Sequence, residues 1–189
     1  MSSLSSQICL PALTERLARL LRILLVGVAL VVGATALPSI SAARDRVAFS
    51  SSVEPGTIVI DARQRKLFFV EDEGVAIRYP IAVPKSSEEW SGSATIIGKY
   101  VNPDWAPPWI VKRDHPELPA LIRGGAPNNP MGARALTLSR FQVAIHGTTK
   151  RMRASIGSAA SYGCIRMLNE DVIDLFDRVS VGTPVIMRP

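Results

Sequence analysis

A chain of 189 residues with a formal net charge of +6 has room for one domain with a usable core behind a short N-terminal segment, and none for a second globular unit. Its basic residues are spread in ones and twos. No run of roughly five or six like charges marks a nucleic-acid surface, and the balance supports only a weak preference for an anionic polymer such as a cell wall.

In chain order, Arg16, Arg19 and Arg22 lead into the apolar run Ile23 to Leu37, which Pro38 ends and the small residues Ser41-Ala42-Ala43 follow. At about fifteen residues the run is short of the ~20 that span a bilayer comfortably, so residues 1–43 read as an export signal. The expected location is therefore the periplasm or cell wall, with an inner-membrane anchor as the alternative if the signal stays uncleaved. Cys9 lies ahead of the apolar run, is no lipoprotein cysteine, and would leave with the signal. Residues 44–56 read as a short linker.

Beyond the linker the periodicity is mostly that of strands. Thr57 to Ile60 and Lys66 to Val70 flank the polar turn Asp61 to Arg65 as a hairpin. Ile77 to Val83, Ala94 to Ile97, Ala135 to Leu138, Phe141 to Ile145 and Pro184 to Met187 are further short apolar or alternating runs, which makes the class mainly β. One helix is predicted in the C-terminal half. Asn169 is the candidate N-cap, Glu170 and Asp171 suit the positive end of the dipole, and Val172, Leu175, Phe176 and Val179 form a buried stripe before Gly182. Between Tyr100 and Ala133 the chain is rich in Pro, Gly, Asn and Trp and fits neither strand nor helix. A loop of that length carrying Trp105 and Trp109 reads as an ordered flap, and the plainer role for the two tryptophans is to anchor it to the core.

Cys164 is the sole thiol of the mature chain, in Ser161-Tyr162-Gly163-Cys164-Ile165-Arg166-Met167, downstream of Ile145-His146-Gly147-Thr148. An unpaired cysteine in an exported protein is either a small buried hydrophobe or a reactive thiol. Loop-forming Ser161 and Gly163, with Arg166 close enough to favour a thiolate, point to the second. His146, at the end of the predicted strand Phe141 to Ile145, is the candidate base. Imidazole takes the thiol proton, the thiolate attacks a carbonyl carbon, and the imidazolium protonates a leaving amine. The backbone N–H groups of Gly163 and Cys164 are the candidate oxyanion donors. His115 sits in the charged stretch Lys112 to His115, and one cysteine with two distant histidines matches no metal-ligand spacing.

These two blocks resemble the L,D-transpeptidase catalytic domain of the YkuD type, whose signature is His-Gly-Thr followed by Ser-x-Gly-Cys-x-Arg. The resemblance extends to Asn102 to Pro108, Asn129 to Leu136, Ser155-Ile156-Gly157 and Asn169 to Val172, and covers roughly residues 57–189. It implies a β-sandwich or mixed β domain in which Cys164 is acylated by a peptidoglycan stem tetrapeptide and His146 is its base. Gly163 and Cys164 would supply the oxyanion contacts. Arg166, Ser161, Tyr162, Gly147 and Thr148 would shape substrate binding, Arg166 by holding a stem carboxylate or by a structural bond to a loop carbonyl, Ser161 and Thr148 by orienting His146 or the pocket wall. The implied reaction needs no cofactor. It cleaves the bond between stem residue 3 and D-alanine 4 and passes the acyl group to an amine. That amine belongs to a neighbouring stem, to an outer-membrane anchor protein or to a D-amino acid; water instead gives a carboxypeptidase. A carbapenem would acylate the same thiol.

Two departures stand out. Tyr162 occupies the place of a second histidine found in many members, and Glu89 to Ile96 replaces the usual Thr-Pro-x-Gly. Sortases place His, Cys and Arg in the same order but normally much further apart, and papain-like wall peptidases reverse Cys and His. A catalytically silent wall-binding module is the reading from another class.

Overall fold

The predicted hairpin is the seed of the architecture, and it is buried on both faces. In the computed structural model, which describes residues 44–50 and 52–189, β2 (Ile58–Asp61) and β3 (Lys66–Asp72) pair antiparallel with Ile58 opposite Phe69. The expected export signal and Cys9 lie outside the described residues. Ile58, Ile60, Leu67 and Phe69 enter the main core, while Val59, Phe68 and Val70 join a second cluster on the other face. That second cluster is covered by β1 (Asp45–Ala48), which pairs with β4 (Val75–Pro84), and by Phe49, whose ring lies 5.0 Å from that of Phe68. The stretch expected as a linker therefore contributes a strand. Four residues with two charges carried too little pattern to reveal it.

The remaining strands are β5 (Gly92–Val101), β6 (Arg134–Leu138), β7 (Ala144–His146), β8 (Ala159–Ser161), β9 (Ile165–Met167) and β10 (Pro184–Arg188). Pairing runs β1-β4-β3-β2-β10-β5-β6-β7-β9, and β9 returns to β4, so the ladder closes on itself. The two longest strands make the corners. The first half of β4 pairs with β3 and its second half with β8 and β9; the first half of β5 pairs with β10 and its second half with β6. Strands that pass from one sheet to the other in this way are how sandwiches turn corners. The fold is the mainly β class expected.

Between the sheets lies one apolar core that includes the fully buried Ile60, Tyr79, Ile81, Ile96, Leu136, Ile145, Ile165 and Met167. A helix, α2 (Asn169–Arg178), adds Val172 and Leu175 to it, with Val179 just beyond its end and Phe176 packed at the edge. Asn169 is not its N-cap. Leu168 holds that position in an extended conformation without a side-chain bond, and Asn169 is the first helical residue, its amide used elsewhere. At the other end Lys99 Nζ donates to Phe176 O at 2.6 Å and Val179 O at 2.5 Å, satisfying carbonyls the helix leaves open.

The strand expected at Phe141 to Ile145 begins only at Ala144. Gln142 has φ 56° and Phe141 is 85% exposed, because Leu138 N–H donates to Val143 O and closes a tight β6–β7 turn that consumes these residues. The flap is ordered and holds more structure than its composition suggested. Trp105 bridges Ile122, and a short helix, α1 (Trp109–Asp114), lies within it. Buried Asn129 staples the flap, donating to Pro103 O at 2.8 Å and Arg123 O at 3.0 Å and accepting from Met131 N–H at 2.9 Å. Trp105 is half-buried, but Trp109 is 64% exposed and stacks on Arg113, so it does not anchor the flap to the core.

Candidate active site

β7 and β9 run side by side in parallel, with Ile145 opposite Ile165 and His146 opposite Arg166. This register places His146, the last residue of one strand, beside the start of the strand that Cys164 immediately precedes. Both side chains line a cavity of about 610 Å³, together with Arg166, Ser161 and Tyr162. The flap supplies the facing wall through Trp105, Val111, His115, Ile122 and Met131. A second groove, of about 740 Å³ and lined by Ile97, Phe141 and Val143, also reaches Cys164.

Cys164 is half-buried, with Sγ 3.7 Å from Gln142 O. Burial pushes its thiol above the ordinary value; the Ala144 N–H and Arg166 oppose that without overcoming it. Arg166 acts in the direction expected of a nearby cation, and desolvation decides the net direction. His146 is 4% exposed, and its Nδ1 lies 2.8 Å from Gly147 O. Burial, reinforced by Arg166, lowers its pKa to about 4, against the pull of the Gly147 and Pro130 carbonyls. The Gly147 carbonyl at Nδ1 draws the proton there, which makes Nε2 the basic nitrogen. Both shifts favour the uncharged forms of the thiol and the imidazole near neutral pH.

Residues 55–187 match the family profile described as the YkuD L,D-transpeptidase catalytic domain. The chain belongs to the L,D-transpeptidase family. It is 34% identical over 140 residues to the probable L,D-transpeptidase ErfK/SrfK of Escherichia coli (strain K12), an alignment that takes in 71% of this chain and 44% of that protein. The chain thus spans less than half the length of that relative. Among solved structures it resembles a Brucella melitensis protein named as a probable carnitine operon oxidoreductase, at 41% identity and a TM-score of 0.52, covering 79% of this chain and 94% of that one. An L,D-transpeptidase from Mycobacterium smegmatis shares the fold, with 20% identity and a TM-score of 0.55 over 70% of this chain and 58% of that chain.

The family motif residues fall into two groups. Cys164, His146, Arg166, Ser161 and Tyr162 share the cavity; Gly147, Thr148 and Gly163 do not line it. Ser161 is buried, and its hydroxyl donates to Cys164 O, which fixes the turn rather than His146. Gly147 is explained by packing: a Cβ there would stand 2.2 Å from Asn169 Oδ1. That oxygen accepts from Thr148 N–H at 3.0 Å and Ala133 N–H at 3.1 Å, while Asn169 Nδ2 donates to Thr148 O at 2.9 Å. The Thr148 hydroxyl is buried without a partner among the described residues. Gly163 has φ 115°, a conformation that glycine adopts without strain, and its carbonyl accepts from Trp90 Nε1 at 2.9 Å.

Arg166 makes no ion pair and no bond to a loop carbonyl among the described residues, and burial draws it below its ordinary value, though a guanidinium stays charged. Tyr162 packs under Lys85, whose Nζ is 4.2 Å from the ring centre, with the His115 ring edge-on at 6.5 Å. His115 matches no metal-ligand spacing in the sequence, yet the flap carries it to the cavity wall beside Tyr162. Arg151 and Met152 also line the cavity without having been singled out. They sit on the 3₁₀ turn Arg151–Ser155, whose bonds from Met152 N–H to Thr149 and from the Ser155 hydroxyl to Met152 O are local and say nothing of a cavity.

Proposed function

We propose that the protein is a cysteine acyltransferase that acts on peptidoglycan stem peptides outside the cytoplasmic membrane. The observation carrying this reading is the parallel β7–β9 register, which puts a buried His146, the Cys164 thiol and an Arg166 without an ion pair among the described residues on one cavity. His146 Nε2 takes the thiol proton as Sγ bonds to the carbonyl carbon of stem residue 3, and the developing oxyanion is met by the Cys164 N–H. Collapse breaks the bond to D-alanine 4, whose amine leaves with the proton returned by His146. The thioester is then opened by an acceptor amine, again with His146 as base. Arg166 and Arg151, cations in a mostly apolar cavity, suit a peptide bearing free carboxylates.

The acceptor we assign is the amine of the third residue of a neighbouring stem, giving a 3-3 cross-link. Purified protein incubated with a disaccharide-tetrapeptide bearing diaminopimelate should yield, by mass spectrometry, a dimer that has lost one D-alanine. Cys164→Ala should abolish it, and His146→Ala should slow Cys164 acylation by about 10²- to 10⁴-fold. Tripeptide monomer alone would replace cross-linking with carboxypeptidase action or a protein acceptor. A thiol inert to substrate and to a carbapenem would replace the reading with a wall-binding module.

A further inference from the structure

Trp90 belongs to Glu89 to Ile96, one of the two places where this chain departs from the family pattern. Its ring is 9% exposed and lies beneath the Arg140 guanidinium, 4.6 Å from the ring centre. Its indole N–H reaches across the sheet to the Gly163 carbonyl at 2.9 Å, a contact between residues 73 positions apart. The Gly163–Cys164 peptide is trans, so its C=O and N–H point in opposite directions. Holding the carbonyl therefore sets the direction of the Cys164 N–H, which lies outside the β9 ladder and is not spent on sheet pairing. On the other side of the same Cα, the Ser161 hydroxyl holds the Cys164 carbonyl. Both peptides flanking the nucleophile are thus pinned by side chains, and the one that carries the oxyanion donor is pinned by Trp90.

We propose that Trp90 is a positioning residue for acyl transfer: by holding the Gly163 carbonyl, it aims the Cys164 N–H at the oxyanion that forms when the thiol attacks an acyl carbon. The inference rests on the reading of Cys164 as an acylated nucleophile. It separates Trp90 from residues that merely stabilise the turn, because only reactions passing through an oxyanion need that N–H. Alkylation by iodoacetamide forms an S–C bond as iodide leaves, with no oxyanion; acylation by a carbapenem or a tetrapeptide forms one.

The test compares both reactions at Cys164 in the full chain, for wild type, Trp90→Phe and the isosteric Trp90→benzothienylalanine, which keeps the bicyclic ring and removes only the N–H. Carbapenem acylation should slow by roughly ten- to a hundredfold in both variants. Iodoacetamide alkylation should stay within about twofold, with an unchanged pH profile. Equal slowing of both reactions, or no slowing of acylation in the benzothienylalanine protein, would overturn the role. Wild-type protein that alkylates readily but accepts no acyl group would instead remove the proposed function, and this inference with it.

Discussion

Two regions of the closed ladder are held by different physics. Around β2 and β3 the backbone pairs with itself and both faces bury aliphatic and aromatic side chains, so removal of apolar surface from water dominates. Around His146 and Cys164 the strands are three residues long and the connecting turns are fixed one hydrogen bond at a time, by Asn129, Asn169, Ser161 and Trp90. The first kind of region tolerates shape-conserving change. The second loses its geometry when a single amide or indole is removed.

Truncation on each side sharpens this contrast most. Ile60→Ala, at a fully buried position, should cost about 2–5 kcal/mol in urea unfolding while leaving the carbapenem acylation rate per folded molecule unchanged. Asn169→Ala strips three bonds and orphans backbone groups of Ala133 and Thr148, and should cost roughly 2–3 kcal/mol. Unlike the core change it should also slow acylation, since the turn after His146 is released. Equal kinetic effects from the two variants would break the division.

The dependence on pH comes next. His146 has a folded pKa of about 4 against an ordinary 6.5, so between these values the unfolded chain binds a proton that the folded chain refuses. The stability contributed by the neutral ring is complete above about 6.5, falls as pH drops, and is gone below about 4, a loss of up to roughly 3 kcal/mol. Asp171 works in the opposite direction, because burial raises its carboxyl to about 6 and the folded state takes up its proton first. Urea midpoints from pH 4 to 7 in an Asp171→Asn background should therefore show the full His146 slope, and adding His146→Asn should flatten it. The smallest effect belongs to the helix end shared by both regions. Lys99→Met should cost about 1–2 kcal/mol in the same unfolding measurement, by releasing the carbonyl of Phe176 in α2 and that of Val179 just beyond it, with acylation unaffected.

What could be read from the residues follows the same line. The β2–β3 hairpin and the apolar stripe of α2 were legible because hydrophobic burial imposes a period on the sequence itself. The two motif blocks were legible because a nucleophile, a base and their turn residues have restricted chemistry at short range. Asn169 illustrates where this stops. Its local pattern reads as a helix cap, but two loops from elsewhere in the chain compete for the same amide and take it. Phe141 misled in the opposite sense, since an aromatic beside Val143 resembles a strand until the turn that closes at Leu138 claims it.

By itself the sequence determined the mainly β class, the identity of the nucleophile and base candidates, and the presence of an ordered flap, all consequences of side-chain type and short-range spacing. The tertiary structure decided that β7 and β9 lie in parallel, that burial favours the uncharged thiol and imidazole, that His115 joins Tyr162 at the cavity wall, and that Trp90 holds the turn before Cys164. Each of these depends on desolvation or on a contact between residues far apart in the chain, and neither leaves a periodic mark on the sequence.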